Sequence, residues 1–171
     1  SVLNLFAYSG GATIAALLAR VRVCHVDASR GMISWTKENL LLNNLTNAPV
    51  RFIVDDVLKF MKREKKRGNL YDAIILDPPT FGRGAQGEVY KIERDIIPTL
   101  ELVKSLLSDE PLFILMSCHT PGFSPQVLEN LLKQIRTNAP GRIEKGDSIV
   151  VVAGIPFGKS GATNMVLVQR V

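Results

Sequence analysis

Short apolar runs alternate along this chain with longer stretches in which apolar residues return every three or four positions. The short runs predict strands over Val2–Phe6, Val21–Val26, Val50–Val54, Ala73–Leu76 and Leu112–Ser117, because an unbroken apolar run bounded by turn residues suits a strand covered on both faces. The longer stretches predict helices over Ala12–Ala19, Gly31–Leu42, Val57–Arg67, Ile92–Leu107 and Pro125–Ile135. Asn43-Asn44 mark the end of the second helix. Ser124 caps the fifth, with Pro125 at its first position, where a missing N–H does no harm. Strands alternating with helices predict a doubly wound, mostly parallel α/β sheet. The tail departs from that rule: Ser148–Ala153 and Asn164–Gln169 read as strands joined by a glycine-rich link from Gly154 to Gly161 with no helix. So short a connection favours an antiparallel hairpin, which brings the expected sheet to seven strands.

The length of 171 residues suits one domain spanning 1–171. The chain opens on Ser1-Val2-Leu3 without an initiator Met, so it is expected to be a fragment lacking an N-terminal region. No apolar run approaches the ~20 residues of a membrane-spanning helix, and no secretion signal is legible. Cys24 and Cys118 read as free thiols in an otherwise sufficient core, which fits a reducing, cytoplasmic compartment. The 21 Lys and Arg against 16 Asp and Glu leave a net charge of +5, which makes nucleic acid a plausible partner. The densest cationic stretch is Lys59, Lys62, Arg63, Lys65, Lys66 and Arg67, with Glu64 among them. It reads either as a phosphate-contacting patch or as a solvated helix end whose cations complement the helix dipole.

Chemistry is expected at the strand ends, since open α/β sheets bind ligands outside the carboxyl ends of their strands. After the first strand, Ser9-Gly10-Gly11 allow a sharp turn and close backbone approach to a ligand, although the same glycines would serve a plain strand-to-helix turn. The spacing is neither a dinucleotide fingerprint nor a phosphate loop. The second strand ends in Asp27, whose carboxylate can accept from two ribose hydroxyls or can simply belong to an acidic turn. The third ends in Asp55-Asp56-Val57, where an acid can face an adenine edge or cap the following helix. The fourth ends in Asp77-Pro78-Pro79-Thr80-Phe81. Beyond it, Thr80–Glu88 carries Gly82, Gly84 and Gly87 and reads as a loop built to move.

Taken in order, Leu3-Asn4-Leu5-Phe6-Ala7-Tyr8-Ser9-Gly10-Gly11, Val26-Asp27-Ala28-Ser29, Asp55-Asp56, Asp77-Pro78-Pro79-Thr80-Phe81 and the stretch from Gly82-Arg83-Gly84 to Tyr90-Lys91 resemble the class I S-adenosylmethionine-dependent methyltransferases. The resemblance is to the branch of the bacterial large-subunit ribosomal RNA methyltransferases, and it covers almost the whole chain. It implies a Rossmann-like methyltransferase fold, S-adenosyl-L-methionine as cofactor and RNA as substrate, with no metal. It further implies cofactor contacts from Asn4, Phe6, Tyr8, Ser9, Gly10 and Gly11, from Asp27, Ala28 and Ser29, and from Asp55, Asp56 and Val57, with Asp77 closing the site near the reactive methyl. Asn4 stands where an acid is usual, and Phe6 and Tyr8 where glycines are usual, departures shared with the ribosomal RNA branch.

Two chemistries stay open. Methyl transfer to a nitrogen needs mainly alignment, for which Asp77, Pro78 and Pro79 offer acceptors and Phe81 a stacking surface, unless Phe81 is tucked into the core. Transfer to pyrimidine C5 needs a thiolate. Met116-Ser117-Cys118-His119 resembles the Ser-Cys of some 5-methylpyrimidine enzymes, with His119 able to lower the thiol's pKa; the alternative is that Cys118 is a small core residue. Tyr90 and Lys91 either border the substrate mouth or end a solvated loop. Trp35 is expected to pack with Met32 and Leu42, and His25 to be a packed strand residue. A methyltransferase acting on a small molecule or protein, or a non-catalytic cofactor- or RNA-binding module, is the competing function.

Overall fold

Strand β1 (Val2–Leu5) is buried at every position, as a strand inside a sheet covered on both faces must be. In the computed structural model, which describes residues 1–84, 86–136, 148–153 and 165–170, β1 pairs in parallel with β2 (Val23–Asp27) and β4 (Ala73–Leu76). Beyond them lie β3 (Val50–Val54), parallel to β2, and β7 (Phe113–Ser117), parallel to β4. Strand β8 (Ser148–Ala153) continues the sheet in parallel, and β9 (Met165–Arg170) closes it as the antiparallel arm of a hairpin. The sheet therefore has the seven strands the sequence predicts, in the order β3-β2-β1-β4-β7-β8-β9. The link expected to form the hairpin turn, Gly154 to Gly161, lies outside the described residues.

Helices cover both faces because alternate strand residues point to opposite sides. Leu3, Leu5, Cys24, Val26 and Ile74 pack with α3 (Val57–Arg67), α4 (Ile92–Ser105) and α5 (Pro125–Arg136) in one core. Val2, Val23 and Ala73 face the other way, with Leu17 of α1 (Gly11–Leu18) and Leu40 of α2 (Arg30–Leu42). Side-chain caps start three helices: Ser29 accepts from Met32 N at 3.4 Å, Asp56 from Lys59 N at 2.9 Å and Ser124 from Val127 N at 3.3 Å. Asn44 closes the turn after α2 at φ +56°, a left-handed conformation that asparagine tolerates.

Within the stretch Thr80–Glu88, expected to be a loop built to move, Phe81–Arg83 forms a strand, β5, which pairs antiparallel with β6 (Val89–Lys91) just beyond the stretch. This two-stranded ribbon is tethered on several sides. Glu88 is paired with Lys59 of α3, Arg94 donates to Val89 O, and Ile92 N donates to Thr80 O at 3.2 Å. The glycines serve the reversal, where Gly84 N donates to Glu88 O at 2.8 Å and Gly87 takes φ +87°.

The basic run on α3 is partly neutralised. Arg63 pairs with Asp55, Lys59 with Glu88, and Arg67 with the buried Glu64 at 2.9 Å. Glu64 also accepts from both Arg51 nitrogens, from Asn69 and from the Tyr71 hydroxyl at 2.6 Å. Those donors outweigh its burial and hold its carboxyl down at about 2. The residue that interrupts the cationic run is thus a structural anchor joining α3 to β3 and to the approach of β4.

Candidate functional site

The chain builds outward from β1 through β2 to β3, then returns to β4 on the opposite side of β1. That reversal opens a crevice between the carboxyl ends of β1 and β4. A cleft of about 400 Å³ lies there, within the ~300–1,000 Å³ usual for small-molecule sites.

One wall is the turn after β1. Phe6 and Tyr8 both hold positive φ, +53° and +48°, so the backbone adopts the conformation glycine favours while carrying two aromatic rings. A left-handed non-glycine residue costs about 1–2 kcal/mol, and α2 supplies the bonds that hold this one. Thr36 Oγ1 donates to Tyr8 O at 3.1 Å, and Asn39 Nδ2 donates to Ser9 O at 2.9 Å. Gly10, at φ +84°, lies so close to Thr36 that a Cβ would overlap the Thr36 methyl. Here glycine is required twice, for its φ and for its lack of a side chain.

Phe6 and Tyr8 line the cleft, whereas Ser9, Gly10 and Gly11 do not. Ser9 and Gly10 shape the turn from behind, and Gly11 is the exposed first residue of α1. Asn4 is buried beneath the turn. It sits opposite His25 in the β1–β2 register and donates to Thr13 Oγ1 at 2.9 Å, and that oxygen lies 2.8 Å from His25 Nδ1. His25 is wholly buried, as expected of a packed strand residue, and its Nε2 has no partner. Burial pushes its pKa down to about 4.

Asp27, Ala28 and Ser29 line the next part of the wall. The Asp27 carboxylate accepts from Tyr8 N and from Ser29 N, both at 2.8 Å, one on each oxygen. Each oxygen keeps a lone pair for a ligand. The two acids after β3 separate. Asp56 caps α3 and lines the cleft with Val57, while Asp55 turns away to accept from Asp56 N and pair with Arg63.

The opposite wall is the end of β4. Asp77, Pro78, Pro79, Thr80 and Phe81 all line the cleft. Thr80 Oγ1 meets Thr120 Oγ1 at 2.7 Å, which ties this end to the segment after β7. His119 also lines the cleft, with Nε2 3.8 Å from Asp77 Oδ1. Cys118 points the other way, into the core, where burial pushes its thiol up. Adjacent residues at a strand end face opposite sides, so His119 answers to Asp77 and Cys118 packs inside.

Sequence reasoning missed Thr36 and Asn39, whose polar spacing of three residues on α2 was the available signal. It also missed Arg83 as a rim residue. Trp35, expected in the core or in packing between elements, is 45% exposed and packs between elements, its ring meeting the 60% exposed Tyr8 ring edge-on at 5.9 Å. Of the pair at the ribbon's end, Tyr90 is buried, lines the cleft and contacts Phe6 edge-on at 5.0 Å, while Lys91 is exposed. Among the described residues, no group of three or more His, Cys, Asp or Glu is placed to hold a metal ion, and no helix is long and apolar enough to cross a membrane.

A family model described as S-adenosylmethionine-dependent methyltransferase matches residues 1–141. Over 110 residues the chain is 40% identical to the ribosomal RNA large subunit methyltransferase K/L of Syntrophotalea carbinolica, covering 63% of this chain and 15% of that protein. A protein of the same name from Buchnera aphidicola subsp. Acyrthosiphon pisum is 32% identical over 139 residues, 80% of this chain and 19% of that one. The chain thus spans less than a fifth of the length of these relatives. Among solved structures, the SAM-dependent methyltransferase from Agrobacterium tumefaciens superposes with a TM-score of 0.81 at 35% identity, covering 98% of this chain and 52% of that one.

Proposed function

This chain belongs to the S-adenosylmethionine-dependent methyltransferase family, and from that premise we propose that it methylates a base nitrogen in large-subunit ribosomal RNA. The observation that carries the reading is one cleft joining Asp27, Ala28, Ser29 and Asp56 on one side to Asp77-Pro78-Pro79-Phe81 on the other. Two relatives named for ribosomal RNA and the net positive charge support the choice of substrate.

The residues fit the cofactor. Asp27, already aimed by two backbone N–H groups, would accept from the ribose hydroxyls; Asp56 and Val57 would flank the adenine; the turn at Phe6 and Tyr8 would receive the amino-acid part. When bound, S-adenosylmethionine supplies an electrophilic methyl group on a positively charged sulfur. The chain's own task is then to align a nucleophile and exclude water. The Asp77 carboxylate would accept a hydrogen from the target amino group, and His119 beside it would keep that carboxylate facing the cleft. Phe81, half exposed at the rim, would stack on the base, a contact worth ~1–3 kcal/mol in single-strand recognition.

A nitrogen acceptor is preferred because the C5 route needs a thiolate at the cleft, and Cys118 is buried with its thiol pushed up. Mass mapping of methylated nucleosides in ribosomal RNA, from cells with and without the gene, tests the assignment. The expected result is loss of one nitrogen-methylated base. A covalent adduct with 5-fluoropyrimidine RNA that disappears in Cys118→Ala would establish the C5 chemistry instead. Unchanged ribosomal RNA, with a small molecule or protein methylated, would replace the substrate.

A further inference from the structure

The β5–β6 ribbon has two unlike faces. In its register Gly82 opposes Tyr90, while Phe81 opposes Lys91 and Arg83 opposes Val89. Tyr90 turns inward, and Gly82 comes so close to Pro79 that a Cβ would meet its Cγ at 3.3 Å. The outward face therefore carries Phe81, Arg83, Val89 and Lys91, all exposed. Phe81 and Arg83 line the cleft rim, and Val89 and Lys91 extend that surface away from it. Arg83 also lies over the Phe81 ring, 5.8 Å from its centroid. Neither Arg83 nor Lys91 has an ion-pair partner among the described residues, although Lys59, Arg63, Arg67 and Arg94 nearby are all paired.

Building on the RNA reading above, we propose that this ribbon is the docking surface for the unpaired RNA strand that flanks the target nucleotide. Phe81 keeps its place against the target base, and Arg83 and Lys91 neutralise successive phosphates of the strand beside it. An aromatic interleaved with cations is the pattern that binds single strands with little dependence on sequence. The choice of a nucleic acid rests on charge complementarity and on the position of the cations relative to the cleft. Lys62, Lys65 and Lys66, the cations of the basic run without an ion-pair partner among the described residues, lie on a helix that starts at the cleft with Asp56 and leads away from it for about 16 Å. Arg83 is on the rim itself. The tethers to α3 and α4 hold the ribbon in place, so little ordering is needed on binding.

The test measures fluorescence anisotropy of a labelled 12-nucleotide single-stranded RNA against salt, using the full chain. Thermal unfolding of each variant serves as the folding control. The double substitution Arg83→Gln with Lys91→Gln is expected to flatten the slope of log K against log salt by about 1.4, the value for two phosphates on a single strand. Phe81→Leu is expected to weaken binding roughly tenfold with the slope intact. A duplex of the same sequence is expected to bind at least roughly tenfold more weakly, because its bases are not free to stack. RNA binding with affinity and slope unchanged in folded ribbon variants overturns the ribbon's role and leaves the RNA reading standing. No RNA binding by the unsubstituted protein, with S-adenosylhomocysteine still bound, overturns both. Displacement of the RNA by polyglutamate as readily as by unlabelled RNA makes the ribbon a generic anion surface and likewise overturns the proposal.

Discussion

The two walls of the cleft are made differently. The wall after β1 and β2 is held from within: Thr36 and Asn39 clasp the carbonyls of Tyr8 and Ser9, and Asp27 bridges the N–H groups of Tyr8 and Ser29. The Asp27 carboxylate it turns to the cleft has its direction set by these backbone N–H groups. The wall after β4 instead carries half-exposed side chains, Asp77 and Phe81, on a segment fixed by two prolines and a tethered ribbon, with His119 brought beside Asp77 by the segment after β7. A small cofactor of constant shape suits the first kind of wall. A large polyanion suits the second, where affinity comes from side chains that reach outward.

If that contrast holds, damage to the two walls separates in kinetics. Asp77→Ala is expected to lower turnover by a hundredfold or more, about 3 kcal/mol of barrier, with S-adenosylhomocysteine affinity nearly unchanged. Asp27→Ala should do the reverse and weaken that affinity by about 2 kcal/mol. Calorimetry beside single-turnover rates reads both, and equal losses in both quantities for either variant would erase the distinction.

The interior support of the first wall is also expected to make the fold acid-labile. His25 has a folded pKa of about 4 against an ordinary 6.5, so below 6.5 the unfolded chain binds the proton that the folded one refuses. Its contribution is complete above about pH 6.5 and is lost progressively down to pH 4, about 3 kcal/mol in all. Glu64, held at about 2, adds a loss of the same sign beginning below its ordinary 4.5. Urea unfolding at stepped pH measures the slope, and His25→Gln, which cannot take up that proton, should flatten it between pH 6.5 and 4.

Gly10→Ala meets both the positive φ and the Thr36 methyl, so a destabilisation of about 2–3 kcal/mol is expected. Adding Thr36→Ser removes the methyl and keeps the hydroxyl that holds Tyr8 O. Partial recovery in a thermal melt locates the fault in the overlap; no recovery assigns it all to the backbone. The smallest expected effect is optical. Trp35 is the single tryptophan and touches Tyr8 on the wall proposed for the cofactor, so its emission should change when S-adenosylhomocysteine binds and should stay constant when RNA alone is added.

The elements of the main sheet and its covering helices, though not the β5–β6 ribbon, were legible in the chain, because they follow from local rules. Apolar periodicity selects strand or helix, Gly10 and Pro78-Pro79 punctuate, and Asp56 and Ser124 cap. Asn4, which the resemblance set against the cofactor, is instead buried against Thr13 of α1, off the cleft lining. What local pattern could not supply was the pairing of distant residues. Asn39 clasps Ser9 from thirty positions along the chain, and Thr80 meets Thr120 from forty. Asp55 and Asp56 are chemically alike, yet one is taken by Arg63 and the other faces the cleft. Cys118 and His119 are neighbours in sequence, and only the packing of β7 decides which meets Asp77 and which enters the core. Hydrophobic burial is a property of one element's pattern, whereas the partner of a polar side chain depends on where a second element docks, and docking exists only in the folded protein.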